Sequence, residues 1–575
     1  MTDPFAVSVE VAELADAGIE EFRRGAPQAA HDLFERAARA AEPHPELAGQ
    51  HLQILVNLAT TAAHLGDHPA AIATLRRTLD APGADPALRP AILLNLSQSL
   101  LETGAYDEAE AALTECHALA KAALPPPGAP GPDVATGPAA PATAATAPLA
   151  GPGDRDLPVG DTLAAAAGSP PWPGPAATAA GPYGIPATGP AAPDPAAPDA
   201  ADPPSDAAEL LMACLVALST VAIQREDWPR AEQLTAEALE VVTRIRPDLV
   251  GRPLMNVAAL ALATGRYEPA EDFAEAALAA CEAGREPAGA ASVRLMLAQL
   301  YTATGRAEQA EPLLHAALAH TGPAGLTVET AVGWEQLGLL AALRGELDEA
   351  QTLYNRARTL LRQAGATPTE AALAVRRAEV AHLAGRPAEA EELLTHAADT
   401  FAALGLGLRR AQTHLAHAAL LEQGGDPGQL ARALDLAVPA ALAIDAVRYG
   451  LAAGRQRDRW RRNVAEPALQ LVFRLAARAG EALLVAHLIE VQCATTPILC
   501  ENAVPRPDGP GPLGSYLDEP PPHAHAFAVA PPPRLLLTPD GDGEGDGEVA
   551  LADRIALAEQ RYGLPVRDTR TVPSW

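Results

Sequence analysis

Three asparagines stand at one recurring place in this chain. Asn57, Asn95 and Asn256 each precede a glycine by nine residues (Gly66, Gly104 and Gly265), and each is followed by Leu or Val. A side-chain amide both donates and accepts hydrogen bonds, so a row of them can hold an extended peptide backbone. Gln336 and Arg376 fill the same place further on, Met296 fills it once, and Gln98 and Gln299 lie three residues beyond it. That spread of types argues against one uniform ladder. The alternative is a solvated or interrepeat-bonded Asn on an exposed helix face.

A second candidate is basic. Arg455, Arg457, Arg459, Arg461 and Arg462 surround Trp460, the one such cluster in an acidic chain. It could grip an acidic partner or a phosphate. The competing account is a solvated helix face paired with Asp458 and Glu466, which contributes little energy. The run Asp540, Asp542, Glu544, Gly545, Asp546 and Glu548 imitates the start of a calcium loop, but Leu551 stands where the bidentate Glu belongs. His523 and His525 lack further ligands nearby, and His414 with His417 share a helix face. No metal site, cofactor site or catalytic residue is expected. GxxxxGK, HExxH and GxSxG are missing, and no GxGxxG follows a strand.

Composition narrows the classes further. The formal charge is −30, which disfavours nucleic acid and anionic membranes because phosphate contacts need a positive field. Aromatic residues make up 3% against 48% hydrophobic, so the apolar content is mostly Ala, Leu and Val, which suits helices. Lys121 is the only lysine, which with the Ala/Pro/Gly excess reads as coding bias. The five cysteines (Cys116, Cys214, Cys281, Cys493 and Cys500) form no CxxC pair, so reduced, buried thiols are expected. The opening MTDPFAVSVE lacks the basic and apolar regions of a signal peptide. The longest candidate membrane run, Leu210 to Gln224, holds 15 uncharged residues where a span needs about 20. A cytoplasmic location is expected.

Behind these candidates lies a repeat. Gly265, Gly305, Gly345, Gly385 and Gly425 recur every 40 residues, with Ala270, Ala310, Ala350 and Ala390 five further on and Ala277, Ala317, Ala357 and Ala397 seven beyond those. Each unit reads as helix, turn, helix. Glycine takes the positive φ that ends the first helix, and small residues let two helices approach closely. One pair cannot bury its apolar faces alone, so pairs must stack.

The clearest unit carries Trp334, Leu337, Gly338, Gly345, Ala350, Tyr354 and Ala357. That spacing resembles the tetratricopeptide repeat. Leu297, Ala298, Tyr301, Gly305, Ala310, Leu314 and Ala317 repeat it. Earlier units follow it through Gly18, Gly25, Ala30, Phe34 and Ala37, then Leu58, Gly66 and Ala71, then Leu96, Gly104 and Ala109. In a fourth, Trp228, Ala231 and Ala238 fit while Glu226 replaces the turn glycine. The period of 38 to 41, longer than the family's 34, is similar to the subclass seen in kinesin light chains. The resemblance implies an all-α, right-handed solenoid whose concave groove takes a partner peptide or helix. It also implies that Asn57, Asn95, Asn256, Gln98, Gln299, Gln336 and Arg376 face that groove.

Organisation follows from the same pattern. Three repeats are expected over 1–123 and about six over 206–437, the last degenerate. Residues 124–205 are dominated by Pro, Ala and Gly and should be disordered. Either one array resumes across them or they tether two separate arrays. Residues 438–500 should form a helical cap, with helices starting near Pro439 and Pro467. AIDAVRYGL and the stretch from Arg457 are similar to segments following repeats in actinobacterial proteins with a caspase-like peptidase domain. About 75 residues follow Cys500, too few for such a domain. Residues 501–575 read as a mobile tail with one short helix over 548–562 that could dock. A non-catalytic adaptor for another protein is the function expected, with the regulatory subunit of a separately encoded effector as the alternative.

Overall fold

The computed structural model describes residues 4–24, 26–81, 86–123, 206–245, 247–424, 426–451, 455–494, 536–537, 548–549 and 551–566. Gly25, Gly425, the segment 124–205, His523, His525, Cys500 and the acidic residues 540–546 lie outside them. Helices pair in chain order as A and B members. The first pairs are α1 (Pro4–Arg23) with α2 (Pro27–Ala41), α3 (Ala48–His64) with α4 (His68–Leu79), and α5 (Arg89–Thr103) with α6 (Tyr106–Ala123). Next come α7 (Asp206–Gln224) with α8 (Trp228–Ile245), α9 (Gly251–Ala263) with α10 (Tyr267–Ala283), and α11 (Pro287–Ala303) with α12 (Ala307–Thr321). The array ends with α13 (Thr327–Leu343) and α14 (Leu347–Ala364), α15 (Thr367–Leu383) and α16 (Pro387–Ala403), and α17 (Gly407–Gly424) and α18 (Pro427–Val447).

The turn chemistry is shared from unit to unit. Gly66, Gly104, Gly265, Gly305, Gly345 and Gly385 all take φ between +73° and +83°. In each case the next residue's N–H reaches back to the last turn of helix A, as in Arg266 to Ala261 and Glu346 to Ala341 at 2.8 and 2.9 Å. A second column, unnoticed in the sequence, ends the B helices: Gly325, Gly365 and Gly405 have φ of +72°, +65° and +69°, and Arg285 takes the same region at +56°. Small residues then fill the helix crossings. Ala270, Ala310, Ala350 and Ala390 are at most 1% exposed, and Cys116 and Thr78 occupy the following column, both fully buried.

Consecutive A helices also pack on one another, as α5 on α7, α7 on α9 and α11 on α13, while no two B helices meet comparably among the described residues. The A helices therefore form the inner wall of a curved solenoid. The helices flanking 124–205 are neighbours: α6 packs on α7. Arg225 pairs there with Asp107, Arg230 with Glu110, and the Cys214 thiol lies 2.9 Å from Cys116 Sγ. Helix α7 is long and apolar enough to cross a membrane, but about 78% of that window is buried within the array.

Curvature brings distant units together about five units apart. A Cβ on Gly66 would meet Thr327 at the start of α13, and one on Gly104 would meet Pro368 and Leu404. Asn463 Nδ2 donates to the Gly265 carbonyl at 2.6 Å. Apolar side chains continue across these contacts, with Val56, Leu94, Ala213 and Ala371 in one core. The inner surface is thus walled by the coil itself.

Two local expectations are corrected, at Pro439 and at the C-terminal helix, while Pro467 stands in the first turn of its helix as expected. Pro439 lies inside α18 rather than at a helix start, so position 438 falls mid-helix. Proline frees the carbonyl four residues back, and here Arg561 Nη1 takes the freed Asp435 O at 3.1 Å, so α18 continues. Ahead of Pro467, α19 (Arg455–Trp460) runs through a π-turn (Arg461–Ala465) into α20 (Glu466–Ala479), then α21 (Ala482–Ala494). A π-turn is the local response to a residue that cannot keep the i−4 ladder. Near the C-terminus, β1 (Leu536–Leu537) pairs antiparallel with β2 (Glu548–Val549), and α22 spans Ala552–Tyr562, not 548–562.

Candidate functional site

The seven proposed groove residues all lie on A helices, on the inner wall. Asn95, Asn256, Gln299, Gln336 and Arg376 are only 1–7% exposed, whereas Asn57 and Gln98 are partly exposed. The burial of these five goes with packing between neighbouring A helices, while Asn57 and Gln98 stay partly open. Two of the asparagines make the interrepeat bonds that stood as the alternative. Asn256 Nδ2 donates to Val216 O, Ser219 Oγ and Thr220 Oγ1 of α7 at 3.0, 2.6 and 3.2 Å. Asn95 Nδ2 donates to Thr60 Oγ1 of α3 at 3.3 Å.

Each of the five buried members nevertheless keeps one buried polar atom without a hydrogen-bond partner: Asn95 Oδ1, Asn256 Oδ1, Gln299 Oε1, Gln336 Oε1 and Arg376 Nε. Buried polar atoms are paired in the great majority of cases, and other buried side chains of the array, among them Trp228, Thr235, Thr321 and Tyr354, also keep an atom without a partner. Beside it, Arg376 Nη1 lies 3.6 Å from Glu379 Oε2. Burial raises the carboxyl of Glu335 to about 7, while Arg376 pulls it down and Glu379 pushes it further up. The Glu379 carboxyl is likewise raised by burial, against Arg376. The wall therefore holds one permanent cation between two carboxyls that resist ionising together.

The basic cluster is dispersed. Trp460 is fully buried and donates its indole N–H to Ile444 O at 2.9 Å, so it belongs to the core and not to a contact patch. Arg457 Nε donates to Leu451 O at 3.0 Å, and Arg459 pairs with Glu268 at 3.3 Å. Arg461 and Arg462 are exposed, and the Arg455 side chain lies outside the described residues.

A family model described as tetratricopeptide repeat matches residues 16–87 and 56–120. The first three helix pairs are similar to tetratricopeptide repeats. No curated protein matches the chain. Among solved structures, BtubC from P. vanneervenii is 23% identical over 34% of this chain and 82% of its own, with a TM-score of 0.29. The Rap protein complexed with competence and sporulation factor is 11% identical, covering 76% of this chain and 100% of its own, TM-score 0.41. Yeast Tom70 is 12% identical, covering 82% and 96%, TM-score 0.28.

A second site lies where α22 packs on the end of the array. On α17 and α18, His414 Nδ1 meets Tyr562 Oη at 2.8 Å, Arg410 Nη1 donates to Arg561 O at 2.6 Å, and Arg554 pairs with Asp435 at 2.7 Å. His414 and His417 are both 8% exposed, and burial lowers the His414 imidazole to about 3, so it is neutral. The readable signal was the apolar spacing of Ile555, Ala558 and Tyr562. Nothing local marked Gly407 as their seat.

Proposed function

We propose that this chain is a non-catalytic protein-binding scaffold whose inner wall takes an extended segment of another protein. The observation that carries this reading is the set of unpaired buried atoms on five A-helix residues, Asn95, Asn256, Gln299, Gln336 and Arg376. An extended peptide presents alternating N–H and C=O groups, and acceptors and donors spaced along an array can satisfy them. Entry requires neighbouring windings to part. Parting them breaks polar contacts such as Glu226 with α17 and Asn463 with Gly265, together with the apolar core that continues across them.

The test is affinity capture of partners by the full chain and by Gln299→Leu/Gln336→Leu, substitutions that keep shape and remove unpaired amides. Stability should hold or rise, because the orphaned oxygens go. Partner capture should fall by about tenfold or more. An equally stable double variant that captures the same partners to the same extent sinks the assignment.

A further inference from the structure

We propose that the face formed by α17 and α18 is a helix-docking site, that α22 occupies it in cis, and that an amphipathic helix of a partner protein with the same anchor spacing displaces it.

Helix α22 reaches this face from far away in the chain: 57 residues, 495–551, separate it from α21. It packs on α17 and α18. One side is apolar, with Ile555, Ala558, Tyr562 and Val566 at most 5% exposed. The other carries the exposed Asp553 and Gln560. Anchors at i, i+3 and i+7 are how an amphipathic helix sits in a groove.

The receiving face is shaped for such a helix. Gly407 is the seat: a Cβ there would lie 1.9 Å from Tyr562 O and 2.9 Å from its carbonyl carbon. The three nearest atoms at that position all belong to Tyr562 and Leu564, so the missing side chain serves the docked helix. Arg410 Nη1 caps the C-terminal end of α22 at Arg561 O, where helix carbonyls lack partners, and Arg410 Nε remains unpaired. The Asp435 carbonyl, freed by Pro439, accepts from Arg561 Nη1, and the Asp435 carboxylate accepts from Arg554. His414, on the groove floor, meets the Tyr562 hydroxyl. Each feature reads a helix backbone end, a tyrosine or an arginine, so the occupant it fits carries an aliphatic residue, Ala and Tyr at those spacings with arginines toward Asp435. A helix of three turns with four anchors is a small cooperative unit, easily released before the array unfolds. This site lies apart from the inner-wall column, so either assignment can fail alone.

The test uses the full chain and a fluorescein-labelled peptide of residues 548–566. In the wild type, tethered α22 competes at an effective concentration near millimolar, so peptide binding should be weak. Ile555→Asp in the full chain should release α22 and tighten peptide binding by about tenfold or more. Adding Gly407→Ala should then remove that gain. In the wild type, amides of α22 should exchange at least about tenfold faster than those of α18, since local release precedes global unfolding. A folded Ile555→Asp chain that does not bind the peptide overturns the proposal. So does an Ile555→Asp chain that no longer folds, because a displaceable occupant leaves the array standing, and so do equal exchange rates for α22 and α18. A wild-type dimer formed by trading α22 would assign the face to a second copy and overturn the partner assignment.

Discussion

The Glu226 carboxylate accepts the backbone N–H of Leu408 at 2.9 Å, 182 positions along the chain, and that of Arg409 at 3.2 Å. It thereby caps the N-terminus of α17 from the next winding of the coil. Its own backbone holds φ at +63°, a region L side chains rarely adopt. A non-glycine residue there costs about 1 kcal/mol or more, while burial raises the Glu226 carboxyl to about 7 against Arg409 and these two bonds, each of which contributes about 1 kcal/mol. The bonds outweigh the strain, which accounts for Glu in a glycine column. Glu226→Gly should therefore lower stability by about 1 kcal/mol, and Glu226→Ala by about 2, since alanine keeps the strain and loses the cap. Urea midpoints of the two variants check both the sign and the order.

Two glycines of one unit are required for different physical reasons, and alanine separates them. A Cβ on Gly338 would lie 2.5 Å from the Tyr354 ring and 3.3 Å from Ala350 O, with no room to yield inside a filled crossing. On Gly345 a Cβ meets nothing within 4 Å, and only its φ of +80° resists substitution. Gly338→Ala should cost about 2–3 kcal/mol by overpacking and Gly345→Ala about 1 kcal/mol by backbone strain. Equal losses in thermal melts would show that the helix crossing yields more readily than its geometry implies.

The turns and small-residue columns were legible because their causes are local: a positive φ, a missing Cβ and a fixed helix length repeat wherever the sequence repeats. Even the departure at Glu226 could be read by position. The closing of the coil was not legible. It sums small angles between successive pairs, and no single residue announces that Gly66 will face Thr327. Position in the repeat likewise does not tell that the Asn256 amide, at 1% exposure, bonds to the neighbouring helix α7. Pro439 misled for a related reason: the group answering its freed carbonyl, Arg561, lies 126 residues away. Trp460 was grouped with its arginine neighbours by adjacency, whereas a helix sends neighbouring side chains to different faces.

The buried Glu335 carboxyl makes stability depend on pH. Its folded value is about 7, raised by burial from an ordinary 4.5. Between those two pH values the folded chain keeps a proton that the unfolded chain has released. Stability from this group is thus complete below pH 4.5 and declines as pH rises toward 7. Glu335→Gln should flatten the melting temperature between about pH 5 and 7 relative to wild type, with a difference on the order of 1 kcal/mol or more. Parallel pH profiles for the two proteins would place the ionised carboxylate, not the acid, in the wall beside Arg376.

The junction across 124–205 can be tested without disturbing it. Cys116 on α6 donates to Pro90 O at 3.2 Å, and the Cys214 thiol on α7 approaches Cys116 Sγ at 2.9 Å. Both are fully buried, and hydrogen bonding to Cys116 together with burial holds the Cys214 thiol well above the usual range. Thiolate is the reacting form, so air and mild oxidants should leave the pair reduced. A small copper–phenanthroline oxidant, given time for local opening, should join them. Protease cleavage within 124–205 then divides the chain into two fragments. After oxidation they should migrate as one band without reductant and as two with it, and Cys214→Ser should give two bands in both lanes. If α6 and α7 were ends of two independent arrays, no intramolecular link would form at low protein concentration, and the fragments would separate on a sizing column before any oxidation.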